Sequence, residues 1–162
     1  MSRRPERLFW GDSLVPWPAD VVAEMALAEL DAVYLRDVGL PVGIDWTLVV
    51  TPPLPGSRPP MHDGEWILAV DDTVPICIER DGRIVAAAPS GRLHVNANLR
   101  ALGAFLFLYQ DYRLRVRGLS ETESQLLIDA TEAKMRSADP AALENADAYW
   151  SVIIEQMRNG LL

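Results

Sequence analysis

Four carboxylates crowd one short stretch of the chain: Asp63 and Glu65 in HDGE, Asp71 and Asp72 in VDD. They bracket the apolar run WILAV, so a strand there carries two of them at each end. Paired carboxylates act as acid and base or hold Mg²⁺. Asp is also a residue of turn starts, where its side chain bonds its own backbone, and turns at both ends of a strand account for the same four positions. The two histidines, His62 and His94, and the lone Cys77 match no zinc-ligand spacing. Ser90, His94 and Asp71 supply the residue types of a hydrolytic triad, with no local motif to set its geometry. His94 alternates with Leu93 and Val95, as a strand-face residue does. Asn96 and Asn98 precede a long helical pattern and serve either a ligand or, more simply, as N-caps. Arg113, Arg115 and Arg117 alternate like a phosphate stripe, but within a segment of no net charge. No G-x-S-x-G, P-loop or dinucleotide fingerprint is present. No catalytic, cofactor-binding or metal site is assigned, and the chain reads as a non-enzyme.

The elements that hold these residues follow from periodicity. DVVAEMALAELDAVYLRDVGLP reads as one helix from about Pro18 to Val38, with Val22, Ala26, Leu27, Leu30, Val33 and Tyr34 inward and Glu24 and Asp31 outward. Gly39 suits its C′ position and Pro41 forbids continuation. IDWTLVV (44–50) is a strand candidate, followed by a loop with five prolines. WILAVDD, VPICIER and RIVAAAP are three strands, turned at Asp72-Thr73 and at Asp81-Gly82, the latter a two-residue hairpin signal. LHV at 93–95 adds a short strand. ANLRALGAFLFLYQDYRLRV is a buried helix with Gly103 at a close contact. Ser120 and Glu123 form a capping-box pattern, and Asp139-Pro140 reads as a cap and first position of the last helical region. There Trp150, Ile153, Ile154 and Met157 make an apolar stripe, and Gly160 turns Leu161 and Leu162 back onto the core. The whole is a single α+β domain over 1–162: a curved, mainly antiparallel β-sheet with an N-terminal helix and a C-terminal helical group packed on it.

Composition bounds the partners. Of 162 residues 49% are apolar, no run is long enough to span a membrane, and the Arg-bearing start lacks the apolar stretch of a signal peptide. One cysteine implies no oxidising compartment, and a cytoplasmic location is expected. The net charge of −8 is uneven: −3 over residues 1–60, zero over 61–118 and −5 over 119–162. Such a surface disfavours direct nucleic-acid binding and favours a basic protein partner. Candidate partner contacts are Asp20, Glu24 and Asp31 on the first helix, and Glu121, Glu123, Asp129 and Glu132 in the C-terminal segment, where Glu144, Asp147 and Glu155 add charge. Trp10, Trp17 and Trp66, outside the helical core stripes, are the candidate apolar anchors.

Three stretches carry a resemblance: YLRDVGLPV after the first helix, VNANLRALGAFLFLYQDYR after the strands, and YWSVIIEQMRNGLL at the end. In this order and spacing the chain resembles bacterial immunity proteins of the SUKH superfamily, in particular its fourth subfamily. The resemblance implies an α+β fold and a non-enzymatic role: stoichiometric binding and neutralisation of a cognate polymorphic toxin, a nuclease or nucleic-acid deaminase encoded nearby. It implies fold roles for Gly39, Leu40, Pro41, Trp150, Gly160 and Leu161, and transfers no toxin contact. The rival expectations are an interaction module without a toxin and, behind it, an enzyme using Asp63, Glu65, Asp71 and Asp72.

Overall fold

The computed structural model describes residues 9–44 and 48–162. Strands β1 (Leu14–Val15) and β2 (Leu40–Pro41) flank helices α1 (Ala19–Glu24) and α2 (Glu29–Asp37). Strands β3 (Leu48–Val50), β4 (Met61–His62), β5 (Glu65–Asp71), β6 (Val74–Ile78), β7 (Ile84–Ala88) and β8 (Gly91–Asn96) follow. Helices α3 (Leu99–Arg115), α4 (Glu121–Ala138) and α5 (Tyr149–Arg158) complete the chain. The fold is α+β, with every strand pair antiparallel.

Strands β5 to β8 form a meander, and register shifts between Ile67 and Ala69 and between Ile84 and Val85 bend it, as bulges do. The outer edge of β5 is divided between two short strands, β3 along one half and β4 along the other, with the proline-rich loop between them. The turn chemistry is local. Asp63 (φ 49°) and Gly64 (φ 84°) join β4 to β5 with both central residues left-handed, as a type I′ turn requires. Asp72 (φ 55°) turns β5 into β6. The β6–β7 hairpin is one residue longer than expected: the Glu79 N–H donates to the Arg83 carbonyl at 2.8 Å, leaving Arg80-Asp81-Gly82 as the loop.

The helix expected over Pro18–Val38 is two helices. The chain leaves α1 at Met25, passes through Ala26 at φ 50° and restarts at Glu29. The break rotates the second half. Leu30, expected inward, is 64% exposed, and Asp31, expected outward, is 6% exposed. The Asp31 carboxylate instead accepts the Leu99 N–H at the start of α3 at 3.3 Å. Burial raises its pKa, opposed by that hydrogen bond and by Arg100. At the exit of α2, Gly39 (φ 84°) passes so close to the Val15 carbonyl that a Cβ would overlap it, which explains glycine before the buried Leu40.

One core joins sheet and helices. Leu68, Ile76, Ile78, Ile84 and Val95 pack in the same cluster as Leu102, Phe105, Tyr109 and Trp150. Asn98 caps α3 through the Ala101 N–H, and Ser120 and Glu123 form the capping box on α4. Gly103 faces the Tyr34 hydroxyl, which fills the space of the missing Cβ. Asp139 does not cap the turn it precedes (Pro140–Leu143); its buried carboxylate accepts from the Ala97 N–H at 2.7 Å and Asn96 Nδ2 at 3.2 Å. Asn96 in turn accepts from Trp150 Nε1 at 3.0 Å, so it ties β8 to α5 and caps no helix. The stripe Trp150, Ile153, Ile154, Met157 is buried as expected. Gly160 (φ 65°) closes the helix, but Leu161 is 71% exposed and Leu162 alone rests against the core.

Candidate functional site

The break between α1 and α2 lies against the β4–β5–β6 corner of the sheet, and a cleft of about 350 Å³ opens between them. Sequence chemistry builds both walls. On one side Met25 ends a helix and its carbonyl is left without a helical partner. Trp66 at the start of β5 supplies one: its Nε1 donates to Met25 O at 3.2 Å. Ala26, left-handed despite its Cβ, is the strained residue this closure holds in place. On the other side the Asp63-Gly64 turn sets Met61 opposite Trp66 across the β4–β5 pair. Leu27 and Ile78 complete the apolar lining.

The charges around it are mostly paired. Arg92 bridges from β8 to Glu65 and to Glu79, the latter at 3.1 Å, and both glutamates are largely covered. Arg83 bonds Glu79 and Asp81, each at 2.8 Å. Cys77 lies beneath, fully buried; desolvation and the Glu65 carboxylate push its thiol up to about 11, so it remains protonated and no nucleophile. Glu24 and Arg80 line the cleft without an ion pair among the described residues. A shallower depression runs on past Gly56 and Arg58, and another past Asp63, Asp81 and Arg83.

The structure brings together two of the candidate contacts, Glu24 and Trp66. Trp17 is a correction: it is 1% exposed, a core residue whose backbone N–H donates to the Leu35 carbonyl at 2.9 Å, and no surface anchor. Asp31 is likewise interior. Trp10 is half-buried and packs edge-on to Phe9. Asp20 is exposed and accepts the Gly56 N–H at 3.0 Å, pinning the proline-rich loop to α1. On α4, Glu123 is used by the capping box, while Asp129 and Glu132 share Arg158 at 2.6 and 2.9 Å. Arg136 and Arg158 hold the Glu132 carboxyl below the usual range. Glu121, Glu144, Asp147 and Glu155 stay exposed, without ion pairs among the described residues.

The carboxylate quartet separates into its two strand ends. Glu65 borders the cleft and Asp63 the depression beside it, whereas Asp71 accepts from the Tyr149 hydroxyl at 2.7 Å. Arg113 and Arg115 fall in the last turn of α3 and Arg117 just after it, not on a strand. Among the described residues no group of His, Cys, Asp and Glu is placed to hold a metal ion, and no helix is long and apolar enough to cross a membrane. Sequence reasoning missed Met61, Ala26 and Arg92 as parts of one site. The Asp-Gly dipeptide at 63–64 was the available signal for Met61; nothing local marks the other two.

The sequence family described as SUKH-4 immunity protein matches residues 5–156, nearly the whole chain. No curated protein and no solved structure matches it.

Proposed function

We propose, from the premise that the chain belongs to the SUKH-4 immunity protein family, that it neutralises a cognate toxin by forming a stoichiometric complex, without catalysis. The family match carries the neutralising role. The charge distribution supports the chemistry of the partner: a net −8, with −5 in residues 119–162 and, on the helical group, exposed carboxylates without ion pairs among the described residues, suits a basic protein. A toxin that grips nucleic acid, a nuclease or a nucleic-acid deaminase, needs such a basic surface to hold phosphates. Steering by charge sets the association rate, while a desolvated aromatic or arginine contact sets the lifetime of the complex. The complex forms in the cytoplasm, where such a toxin finds its substrate.

The test is a binding measurement against the toxin encoded in the adjacent reading frame. A 1:1 complex that abolishes toxin activity is expected, with an association rate falling from about 50 to 500 mM salt as exposed charges are screened. Toxin that keeps its activity in the presence of excess purified protein overturns the proposal.

A further inference from the structure

Strands β3 and β4 lie on the same edge of β5: Val50, the last residue of β3, pairs with Ala69, and Met61, the first of β4, pairs with Trp66. The gap between those partners on β5 is about 10 Å, which about three extended residues span. The chain uses ten, residues 51–60. The surplus is an excursion whose ends lie close together, and its chemistry sets its shape. Proline fixes φ at Pro52, Pro53 and Pro55, and Thr51, Pro52 and Leu54 each precede a proline, which drives them to extended backbone, so 51–54 is biased to polyproline II. Leu54-Pro55-Gly56-Ser57 then makes a type II turn: the Ser57 N–H donates to the Leu54 carbonyl at 3.0 Å, with Pro55 second and Gly56, at φ 73°, third. The turn is fastened from outside. The Ser57 hydroxyl donates to the Leu54 carbonyl at 2.6 Å, the Asp20 carboxylate of α1 accepts the Gly56 N–H at 3.0 Å, and the Pro60 carbonyl accepts the Ile67 N–H at 2.9 Å.

What this arm presents is apolar. Pro52, Pro53, Leu54 and Pro55 follow one another, and Leu54 is 75% exposed, more than any other large apolar side chain among the described residues. A single exposed leucine is ordinary. A leucine between prolines, at the head of a turn tied to α1, is an apolar run held out in water by structure that serves no core. We infer that this arm is the desolvated contact of the complex, and that it docks in an aromatic-lined groove on the toxin with Leu54 at its centre. Aromatic rings are the matching surface for two reasons. The flat faces of proline rings pack on them, and polyproline II leaves its carbonyls without internal partners, open to the N–H of Trp or the O–H of Tyr. The arm is ordered before the partner arrives, so little conformational entropy is lost on docking. This inference rests on the reading of the chain as a toxin-binding protein.

Three measurements test it. First, the free protein and Asp20→Ala are compared by amide hydrogen exchange. The Gly56 N–H is expected to be protected at least about tenfold over an unstructured peptide in wild type and to lose that protection in the variant. A Gly56 amide that exchanges at the peptide rate in wild type means that the arm is not ordered in advance, and overturns the inference whatever the toxin does. Second, wild type, Leu54→Ala and Leu126→Ala, the last a leucine 65% exposed on α4, are compared for binding to the toxin encoded in the adjacent frame. Dissociation at least about tenfold faster is expected for Leu54→Ala, and binding within about twofold of wild type for Leu126→Ala. Both leucines are exposed, so the fold survives, as a circular dichroism melt checks. Third, the Leu54 methyl signals are followed into the complex, where they are expected to move upfield, as protons held over an aromatic ring do. If Leu54→Ala binds within about twofold of wild type, or the methyl signals keep their free positions, the inference falls and the toxin-binding reading stands; if wild type itself does not bind, both fall.

Discussion

The Tyr34 hydroxyl of α2 occupies the place where Gly103 of α3 has no Cβ, so the two helices approach as closely as backbone allows. Both residues are buried. Gly103→Ala therefore drives a methyl into the hydroxyl and is expected to cost about 1–3 kcal/mol, the usual range for overpacking. Tyr34→Phe removes the oxygen and relieves part of that clash. A double-mutant cycle read by urea midpoints is expected to show the pair non-additive, with Tyr34→Phe/Gly103→Ala more stable than the sum of the single losses predicts. Strict additivity would show that the contact carries no coupling.

Asp31 separates the cost of its charge from the worth of its hydrogen bond. Its folded pKa is raised by burial, so its contribution to stability is present at low pH and is lost as pH rises through the folded pKa. Asp31→Asn keeps an acceptor for the Leu99 N–H without the buried charge. It is expected to match or exceed wild type at pH 7 in a thermal melt, and to lack this loss of stability with rising pH. Asp31→Ala leaves that N–H at 3.3 Å without its partner and is expected to cost about 1–2 kcal/mol.

Cys77 titrates the alkaline limb. An unfolded thiol ionises near about 8.5, whereas burial holds this one to about 11. The unfolded chain loses its proton first, so stability is intact below the lower value and falls as pH rises towards the higher. Between those values wild type is expected to lose up to about 1.4 kcal/mol per pH unit more than Cys77→Ala, whatever the offset between the two at pH 7. Parallel urea-midpoint profiles would refute this. The native thiol is also expected to resist a disulfide reagent at pH 8 and to react fully in denaturant.

Removing Leu161 and Leu162 is expected to lower stability by only about 1 kcal/mol. Full burial of one leucine stabilises by about 1.5–3 kcal/mol, and here one leucine is 71% exposed and the other only partly covered. A urea midpoint that falls as far as for Ile154→Ala would mean that the tail packs more deeply.

Much of the architecture was legible because its signals are local. The strands of the meander, the Asp72-Thr73 turn, the capping box at Ser120 and the buried stripe on α5 each depend on residues within a few positions of one another. The errors share the opposite cause. Nothing between Pro18 and Val38 forbids a continuous helix. It breaks where Met25 O accepts from Trp66, 41 positions away, and the break carries Asp31 inside and Leu30 out. Asp139 looks like a cap beside Pro140 but is taken by Asn96 and Ala97, more than 40 positions back. Trp17 read as a loop residue because loops carry no periodicity, and its burial depends on packing against elements that only the fold assembles. The candidate site was half visible for the same reason. Glu24 and Trp66 each stood out, yet their meeting in one cleft follows from the helix break that no periodicity announces.

The divided edge of β5 bears on how the protein behaves at high concentration. An intact long edge presents a row of unsatisfied backbone groups on which another chain can pair, the first step towards fibrils. Here that edge is capped by strands of three and two residues, too short to align a newcomer in register. Between them runs a loop with five prolines, each lacking the N–H that strand pairing demands. Sheet extension thus meets a barrier on the side where the chain would otherwise be most open to it. The protection of this edge owes nothing to the charge of the protein; the other end of the sheet is β8, a strand of six residues.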